Sequence, residues 1–456
     1  MASRLTAVLA AALLSAAGGS AATPPEPSGW LTWGNGVARH NHTADRIAAA
    51  RLRGWARRLD GPVTVQPLVV RGVPRRNDTT VYVATGGGSV YAFTADGRVR
   101  WRRQLARLRH DCPQLPTYGV TGTPVIDRRT RTLYAVDALG DLHALDLATG
   151  RSRQGWPVRL YTAPRRELVW GALTLLRGSV YAITASYCDG GPMEGKVIRV
   201  SLATRAVSSW MPVPPRLGGG GGMWGWGGLG YSARRGSLFV GTGNAFEGGE
   251  NTGERFRESA GYGEHLVELS PDLTVRAAHH PPTLRGRADL DFSGAPVVFR
   301  ARGCRELVTV PAKDGRLYAW RADAVERGVF WAADLRRFKP RYPLVAQHAY
   351  APPLRSLYIA TGMRLVRIAL DARCRARVAW ARPLPRWAFN GSPVVARGTV
   401  WLATYRSRAL LGIHARTGLT VVERRLRGPV VAAPTVAGGR LYVGTFDGWL
   451  HGFQAR

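Results

Sequence analysis

Short runs of β-branched and aromatic residues recur along the whole chain, each too brief and too branched for a helix. Eight share one form: Val81-Tyr82-Val83-Ala84-Thr85, Leu133-Tyr134-Ala135-Val136-Asp137, Val180-Tyr181-Ala182-Ile183-Thr184, Leu238-Phe239-Val240-Gly241-Thr242, Leu307-Val308-Thr309-Val310, Leu357-Tyr358-Ile359-Ala360-Thr361, Val400-Trp401-Leu402-Ala403-Thr404 and Leu441-Tyr442-Val443-Gly444-Thr445. Their starts lie 41 to 69 residues apart, room for one four-stranded sheet per repeat. Most are preceded by a strand that enters with proline (Pro67, Pro124, Pro296, Pro352, Pro393, Pro434), where no ladder donor is needed. An alternating strand follows, such as Ser89-Val90-Tyr91-Ala92-Phe93 or Asp141-Leu142-His143-Ala144-Leu145, and then a turn such as Asp96-Gly97 or Thr149-Gly150. A last strand places tryptophan at a fixed point: Trp55, Trp101, Trp156, Trp210, Trp331, Trp380. Tryptophans that mark the repeat predict packing between neighbouring repeats rather than ligand contacts.

The order of the pieces predicts closure. The chain ends on Gly448-Trp449-Leu450-His451-Gly452-Phe453, a third strand without a fourth, while Arg53-Gly54-Trp55-Ala56-Arg57 is a fourth strand without a sheet. Pairing the two removes both exposed edges. The prediction is an all-β, eight-bladed β-propeller, seven blades whole and one shared between the termini, with almost no helix.

Ahead of the repeats, Arg4, the apolar run Leu5 to Ala17 and the small residues Ser20-Ala21-Ala22 read as a signal peptide over 1–22. That leaves one propeller over 23–456, secreted or periplasmic. No cysteine stands at the cleavage site for a lipid anchor, and no later run reaches the ~20 apolar residues of a membrane helix. The net charge of +34 is almost entirely arginine, since only Lys196, Lys313 and Lys339 are lysine. Arginines occur in nearly every repeat and never as one block, which fits a GC-rich codon composition; the other reading is a footprint for an acidic partner such as a cell-wall polymer or phospholipid head groups. No groove-reading element accompanies the charge, so nucleic acid is not expected. Four cysteines without CxxC or His/Cys spacing predict disulfides rather than a metal cluster. His279-His280, before two prolines and without ligand spacing, reads as solvated loop; Gly218 to Gly222 reads as connection material; Asn41, Asn77 and Asn390 head glycosylation sequons.

The repeated pattern of Leu/Val-Tyr-Val, Asp-Gly, Tyr-Ala-Leu-Asp, Thr-Gly and Trp resembles the pyrroloquinoline-quinone (PQQ) repeat propellers over nearly the whole chain after the signal peptide. That family includes quinoprotein alcohol dehydrogenases and non-catalytic scaffolds of outer-membrane assembly, so the repeats imply fold before function. Gly221-Gly222-Met223-Trp224-Gly225-Trp226, running on to Gly241-Thr242-Gly243-Asn244, is similar to the dehydrogenase segment whose tryptophan supports the quinone and whose asparagine holds calcium. The resemblance thus implies cofactor-binding Trp224 and Trp226, and Asn244 as a metal ligand. Asp289-Leu290-Asp291-Phe292 is similar to the segment with the catalytic aspartate, which implies Asp291 or Asp289 as base and Asp291 as a second metal ligand. Lys313-Asp314-Gly315 resembles the turn whose basic residue bonds the quinone. The implied cofactors are PQQ and Ca²⁺; no haem motif (CxxCH) is present, so electrons would leave through a separate carrier.

Turns of a four-stranded meander alternate between two ends. Turns between second and third strands therefore share a face with the blade connections, and Trp224, Trp226, Asn244, Asp289, Asp291 and Lys313 all fall on that face. A carboxylate, an amide oxygen, a cation and an aromatic plane are what a Ca²⁺-bound anionic quinone requires. Two features depart from the dehydrogenases. Their paired adjacent cysteines are replaced by Asp111-Cys112-Pro113, and their metal-binding glutamate has no counterpart in register, Asp189 and Glu194 being the nearest candidates. By the same rule of faces, Cys112 and Cys188 share one face and Cys304 and Cys374 the other, which predicts Cys112–Cys188 and Cys304–Cys374 bridges. Two functions stand: a divergent quinoprotein oxidoreductase acting on an alcohol or sugar hydroxyl, or a cofactor-free propeller binding an envelope protein or polymer.

Overall fold

A computed structural model describes residues 29–47, 52–109, 117–186, 193–246, 256–257, 260–284, 289–338, 347–385 and 391–455. Residues 1–28, Cys112, Cys188 and Asp189 lie outside these, and with them the signal peptide and one of the two expected disulfides.

Each repeat is a blade of four antiparallel strands, a to d from the axis outward. In blade 1 these are Leu68–Arg71, Thr79–Ala84, Ser89–Thr94 and Val99–Gln104. Blade 4 holds Gly230–Ser232, Ser237–Gly241, Leu266–Leu269 and Val275–His279, and blade 5 holds Val297–Phe299, Leu307–Pro311, Arg316–Arg321 and Trp331–Asp334. Strands b and c are sandwiched between neighbouring blades and buried on both faces, which is why they read as continuous apolar runs. Strand d is half exposed, as in the single buried residue, Trp101, of Val99–Gln104. Helical geometry among the described residues is limited to short 3₁₀ turns. Blade 8 closes the ring as expected: Leu52–Arg58 pairs antiparallel with Trp449–Ala455, Leu52 opposite Ala455 and Arg58 opposite Trp449.

Four of the six repeat tryptophans fasten their blade to the next by a hydrogen bond. Trp55 Nε1 donates to Ala95 O at 3.2 Å, Trp101 to Leu147 O at 3.0 Å, Trp331 to Cys374 O at 3.0 Å and Trp380 to Arg416 O at 3.0 Å. Each acceptor lies where strand c ends or in the c–d turn of the following blade. The turn glycines are needed twice over: Gly97 and Gly150 have φ of 85° and 69°, and a Cβ on either would come within 2.6 Å of the tryptophan ring. The Cys304–Cys374 disulfide, closing a separation of 70 residues, joins the a–b turn of blade 5 to the c–d turn of blade 6. It lies on the face opposite the candidate site.

No periodicity announces residues 29–47, yet they form a belt that runs around the inner strands and touches every blade in order. Gly29 and Trp30 pair with Val70 and Val69 of blade 1. Leu31 O accepts from Ile126 N of blade 2, and Thr32 Oγ1 donates to Leu173 O beside blade 3. Val37, Ala38, His40 and Asn41 carbonyls accept from Tyr231, Val298, Tyr350 and Val395 of blades 4 to 7. Asp45 Oδ2 accepts from Gly438 N of blade 8 at 2.6 Å. At the centre the fully buried Arg39 spends its guanidinium on neutral acceptors: Leu229 O, Thr32 Oγ1, Trp33 O, Leu173 O and Thr174 Oγ1. Burial pulls it down to about 9, still charged at neutral pH. Asn41 is fully buried in the same belt, so its sequon is inaccessible in the folded chain.

Candidate functional site

Blades 4 and 5 meet on the face of the b–c turns, and there the structure gathers four of the six residues expected in the site. Asp289 and Asp291 come from the connection into blade 5, Lys313 from that blade's b–c turn and Asn244 from the b–c turn of blade 4. Lys313 Nζ lies 2.6 Å from Asp289 Oδ1 and 2.6 Å from Asp291 Oδ2. Asp291 Oδ1 accepts the Asn244 backbone N–H at 2.6 Å, and the Lys313 backbone N–H donates to Asp291 O at 2.9 Å. The Asp291 side chain is 4% exposed and that of Asp289 42%, so one carboxylate is walled in and the other faces solvent.

The close approach is made by glycine. Gly243 donates to Gly222 O at 2.7 Å and accepts from Glu264 N at 2.9 Å; a Cβ there would overlap Asp291 Oδ1. The Gly-Gly and Gly-Thr-Gly-Asn segments are thus pressed together so that Asn244 and Asp291 can meet.

Glu264 completes the cluster, from just before strand c of blade 4. It is buried and holds a left-handed φ of 54°, a conformation that points to local constraint. The Asn244 amide sits between Glu264 and Asp291: turned with nitrogen toward them it donates to Asp291 Oδ1 at 3.0 Å and Glu264 Oε1 at 2.8 Å. Turned the other way, its nitrogen faces Asp289 Oδ1 at 3.4 Å and its oxygen joins the two carboxylate oxygens. Oxygens at such separations match neighbouring ligands around a Ca²⁺ ion bound at roughly 2.4 Å. Among the described residues no three histidine, cysteine or carboxylate groups converge as a ready-made metal site; the third oxygen here belongs to an amide. The donor set fits a hard cation.

Electrostatics follow from burial. Burial pushes Asp291 up, the Lys313 ammonium pulls it back and Asp289 adds repulsion, leaving it at about 7. Burial opposes the Lys313 charge, but the two carboxylates outweigh it and hold the ammonium firmly protonated. Beyond Glu264, the His280 ring lies 3.7 Å from Glu264 Oε2 and stacks on His265 at 5.2 Å between centroids. His279 accepts from Trp320 Nε1 at 3.2 Å. The expectation of a solvated His279-His280 pair is therefore corrected: strand d of blade 4 runs on to His279, packing that ring on Trp320 of blade 5 and the His280 ring against Glu264 and His265.

The two tryptophans differ. Trp224 is partly exposed, its ring beside Gly222 and its indole nitrogen buried without a partner. Trp226 is buried against Trp170 at 4.9 Å and belongs to the core that lines the axis, so packing accounts for it. Glu194 does not join Asn244: it pairs with Lys196 at 2.9 Å, and Lys196 also binds Glu167 at 3.0 Å. Sequence reasoning looked for a glutamate in blade 3 and missed Glu264 in blade 4. The signal available was Gly263-Glu264-His265, polar groups at the mouth of a strand otherwise wholly buried.

The family model described as outer membrane protein assembly factor BamB matches residues 48–211 and 356–456. Among solved structures, quinohemoprotein alcohol dehydrogenase from Comamonas testosteroni aligns with a TM-score of 0.70 at 17% identity, over 94% of this chain and 81% of its own. A europium-containing methanol dehydrogenase aligns with a TM-score of 0.72 at 13% identity, over 94% and 98%. BamB from Moraxella catarrhalis aligns with a TM-score of 0.61 at 14% identity, over 88% and 99%. At these identities the likenesses establish the fold. No curated protein matches in sequence.

Proposed function

The chain belongs to the PQQ-repeat β-propeller family, and from that membership and the buried polar cluster we propose that its site face binds a divalent cation and a quinone to oxidise the hydroxyl of an alcohol or sugar outside the cytoplasm. The observation that carries the reading is the burial of Asp291, Glu264 and Asn244 around Lys313. Packing alone gives no reason to bury three carboxylate and amide groups together, because each costs free energy unless matched.

In this reading Asn244, Asp291 and Glu264 would hold the cation. When bound, a quinone would supply the hydride acceptor and the cation would serve as Lewis acid toward it. Asp289, the carboxylate open to solvent, is placed to receive the hydroxyl proton. Lys313 bridges Asp289 and Asp291 and neutralises part of their charge. Of the two expected tryptophans, only Trp224 is partly exposed on this face. Electrons would then leave through a separate carrier. The reading of an envelope scaffold draws support from the BamB description of the matching family model and from the self-neutralising Lys313 pairs.

Titration of the purified protein with PQQ, with and without Ca²⁺, separates the two by thermal midpoint and quinone absorbance. A Ca²⁺-dependent rise in midpoint, absent in Asn244→Ala and Asp291→Ala, is expected, since a ligand that binds only the folded state must stabilise it. No shift at saturating quinone would leave the scaffold reading in its place.

A further inference from the structure

Arginine occurs at both ends of the ring, but its excess over carboxylate is larger at the end opposite the site. Every a–b turn from blade 1 to blade 7 bears arginine, and one from each of six turns suffices to trace the circle: Arg75, Arg129, Arg177, Arg234, Arg302 and Arg397, all exposed. None of the six lies within ion-pair distance of a carboxylate among the described residues; Asp78, Asp127 and Glu306 supply the acidic groups at these turns, and the c–d turns of the same end add Asp96, Asp272, Asp323, Glu326 and Asp371 beside Arg98, Arg151, Arg153, Arg205, Arg327, Arg373, Arg375 and Arg416. The b–c turns of the other face are more mixed: Gly86-Gly87-Gly88 in blade 1, Asp137 in blade 2, Lys313-Asp314 in blade 5, Arg406 and Arg408 in blade 7 and Asp447 in blade 8.

Base composition does not account for the placement. Arg177-Gly178 and Arg397-Gly398 are two-residue hairpin turns with positive φ throughout: 47° and 72°, then 35° and 85°. Such turns favour Asn-Gly, Asp-Gly or Gly-Gly. The same turn in blade 8 is Gly438-Gly439, at φ of 59° and 72°. Glycine codons are as rich in G and C as those of arginine, so a compositional drift has no reason to select the strained residue in blades 3 and 7.

The exposed large apolar side chains keep the same company. Val99, Val207, Leu419 and Val421 are 57%, 42%, 60% and 48% exposed. Val99 and Val207 begin a strand d, and Leu419 and Val421 flank the first residue of another, so all four stand at the arginine end; Met363, the remaining exposed one among the described residues, is in a b–c turn. Arginines spread over a flat ring with apolar residues at its rim match a planar anionic surface. A soluble polyanion reaches only an arc of such a ring and gains nothing from the apolar rim.

We propose that this arginine-bearing end docks on an anionic phospholipid surface, with the site face turned away. The inference does not depend on what the site face binds. Positive side chains gather at the head groups while the short apolar residues enter the interfacial layer.

The test is flotation of the full-length mature protein with phosphatidylcholine vesicles, with and without phosphatidylglycerol. Three forms are compared: the unaltered chain, a far-end variant (R75S, R129S, R177G, R397G), and a site-end variant of equal net charge (R58S, R103S, R166S, R216S). The expected result is binding only to phosphatidylglycerol vesicles, lowered at least 100-fold in the far-end variant and by no more than about threefold in the site-end variant. Leu419→Ser with Val421→Ser should weaken what binding survives high salt. Equal losses in the two arginine variants would mean diffuse charge and overturn the proposal. So would absence of vesicle binding, or binding to dextran sulfate without binding to vesicles. Both variants are first matched to the parent by thermal midpoint, and a misfolded one is replaced by its Arg→Lys→Gln series at the same positions.

Discussion

The two ends of the ring are built from the same strands and differ in almost everything chemical. At one end, Asp289, Asp291, Glu264, Asn244 and Lys313 are packed into a small partly buried cluster whose charges answer one another. At the other, arginines such as Arg177 and Arg397 stand in solvent without a carboxylate. A meander allows this because successive turns alternate ends, so each end can vary without touching the other. Between them lies the belt of residues 29–47, with Arg39 satisfied wholly by neutral acceptors. Charge in the site cluster is buried and paired, whereas Arg177 and Arg397 stand exposed at the far end with no ion pair among the described residues, free to meet a surface.

The comparison can be broken most sharply at Lys313. Lys313→Met strands two carboxylates, one of them buried, and should destabilise the fold by about 3–5 kcal/mol. Asp289→Asn, on a side chain 42% exposed, should lose about 1 kcal/mol at most. Denaturant unfolding of both variants checks the ratio; equal, small losses would mean the cluster is as solvated as the far end.

What the sequence disclosed follows from periodicity. The blades, the shared closing blade, the tryptophan contacts and the Cys304–Cys374 bridge all derive from strand order and the alternation of turns. Four of the six expected site residues converge because they stand in turns or connections of adjacent blades at one end. Trp226 departs because a glycine-flanked indole can turn inward as easily as outward, and Trp170 offers it a wall. The belt was illegible, since its hydrogen bonds are made one residue per blade and leave no period. Glu264 was hidden because burial of a glutamate is a tertiary fact. The asymmetry of the arginines disappears when charge is counted along the chain, because neighbouring turns in sequence face opposite ends.

Acid should act on the wall between the two ends. His348 is fully buried beside Thr309 Oγ1 at 2.7 Å, and burial lowers it to about 3. Its folded value lies below its unfolded one, so unfolding takes up a proton below pH 6.5 and stability is lost as pH falls from there toward 3. His42, His265 and His451, each lowered to about 4 mainly by burial, act in the same sense. Asp291, raised to about 7, acts in the opposite sense but singly. Stability should therefore fall between pH 6.5 and 5, and His348→Gln should flatten that slope by up to about 1.4 kcal/mol per pH unit. Unfolding free energies at three pH values would show an unchanged slope if His348 were solvated.

The smallest effect is the most telling about the far end. Arg177→Gly and Arg397→Gly replace a left-handed arginine by the residue that blade 8 uses in the same turn. Relief of the backbone strain is worth about 1 kcal/mol or slightly more at each position, less what glycine's greater freedom in the unfolded chain takes back. The double variant should thus be no less stable than the parent, and a modest gain in thermal midpoint is expected. Its binding to phosphatidylglycerol vesicles should nonetheless fall several-fold. Stability held or gained together with binding lost is the signature of residues kept for a surface contact. A variant that loses stability instead would show that these arginines serve the turn itself, and the contrast between the two ends would then be one of packing rather than of partners.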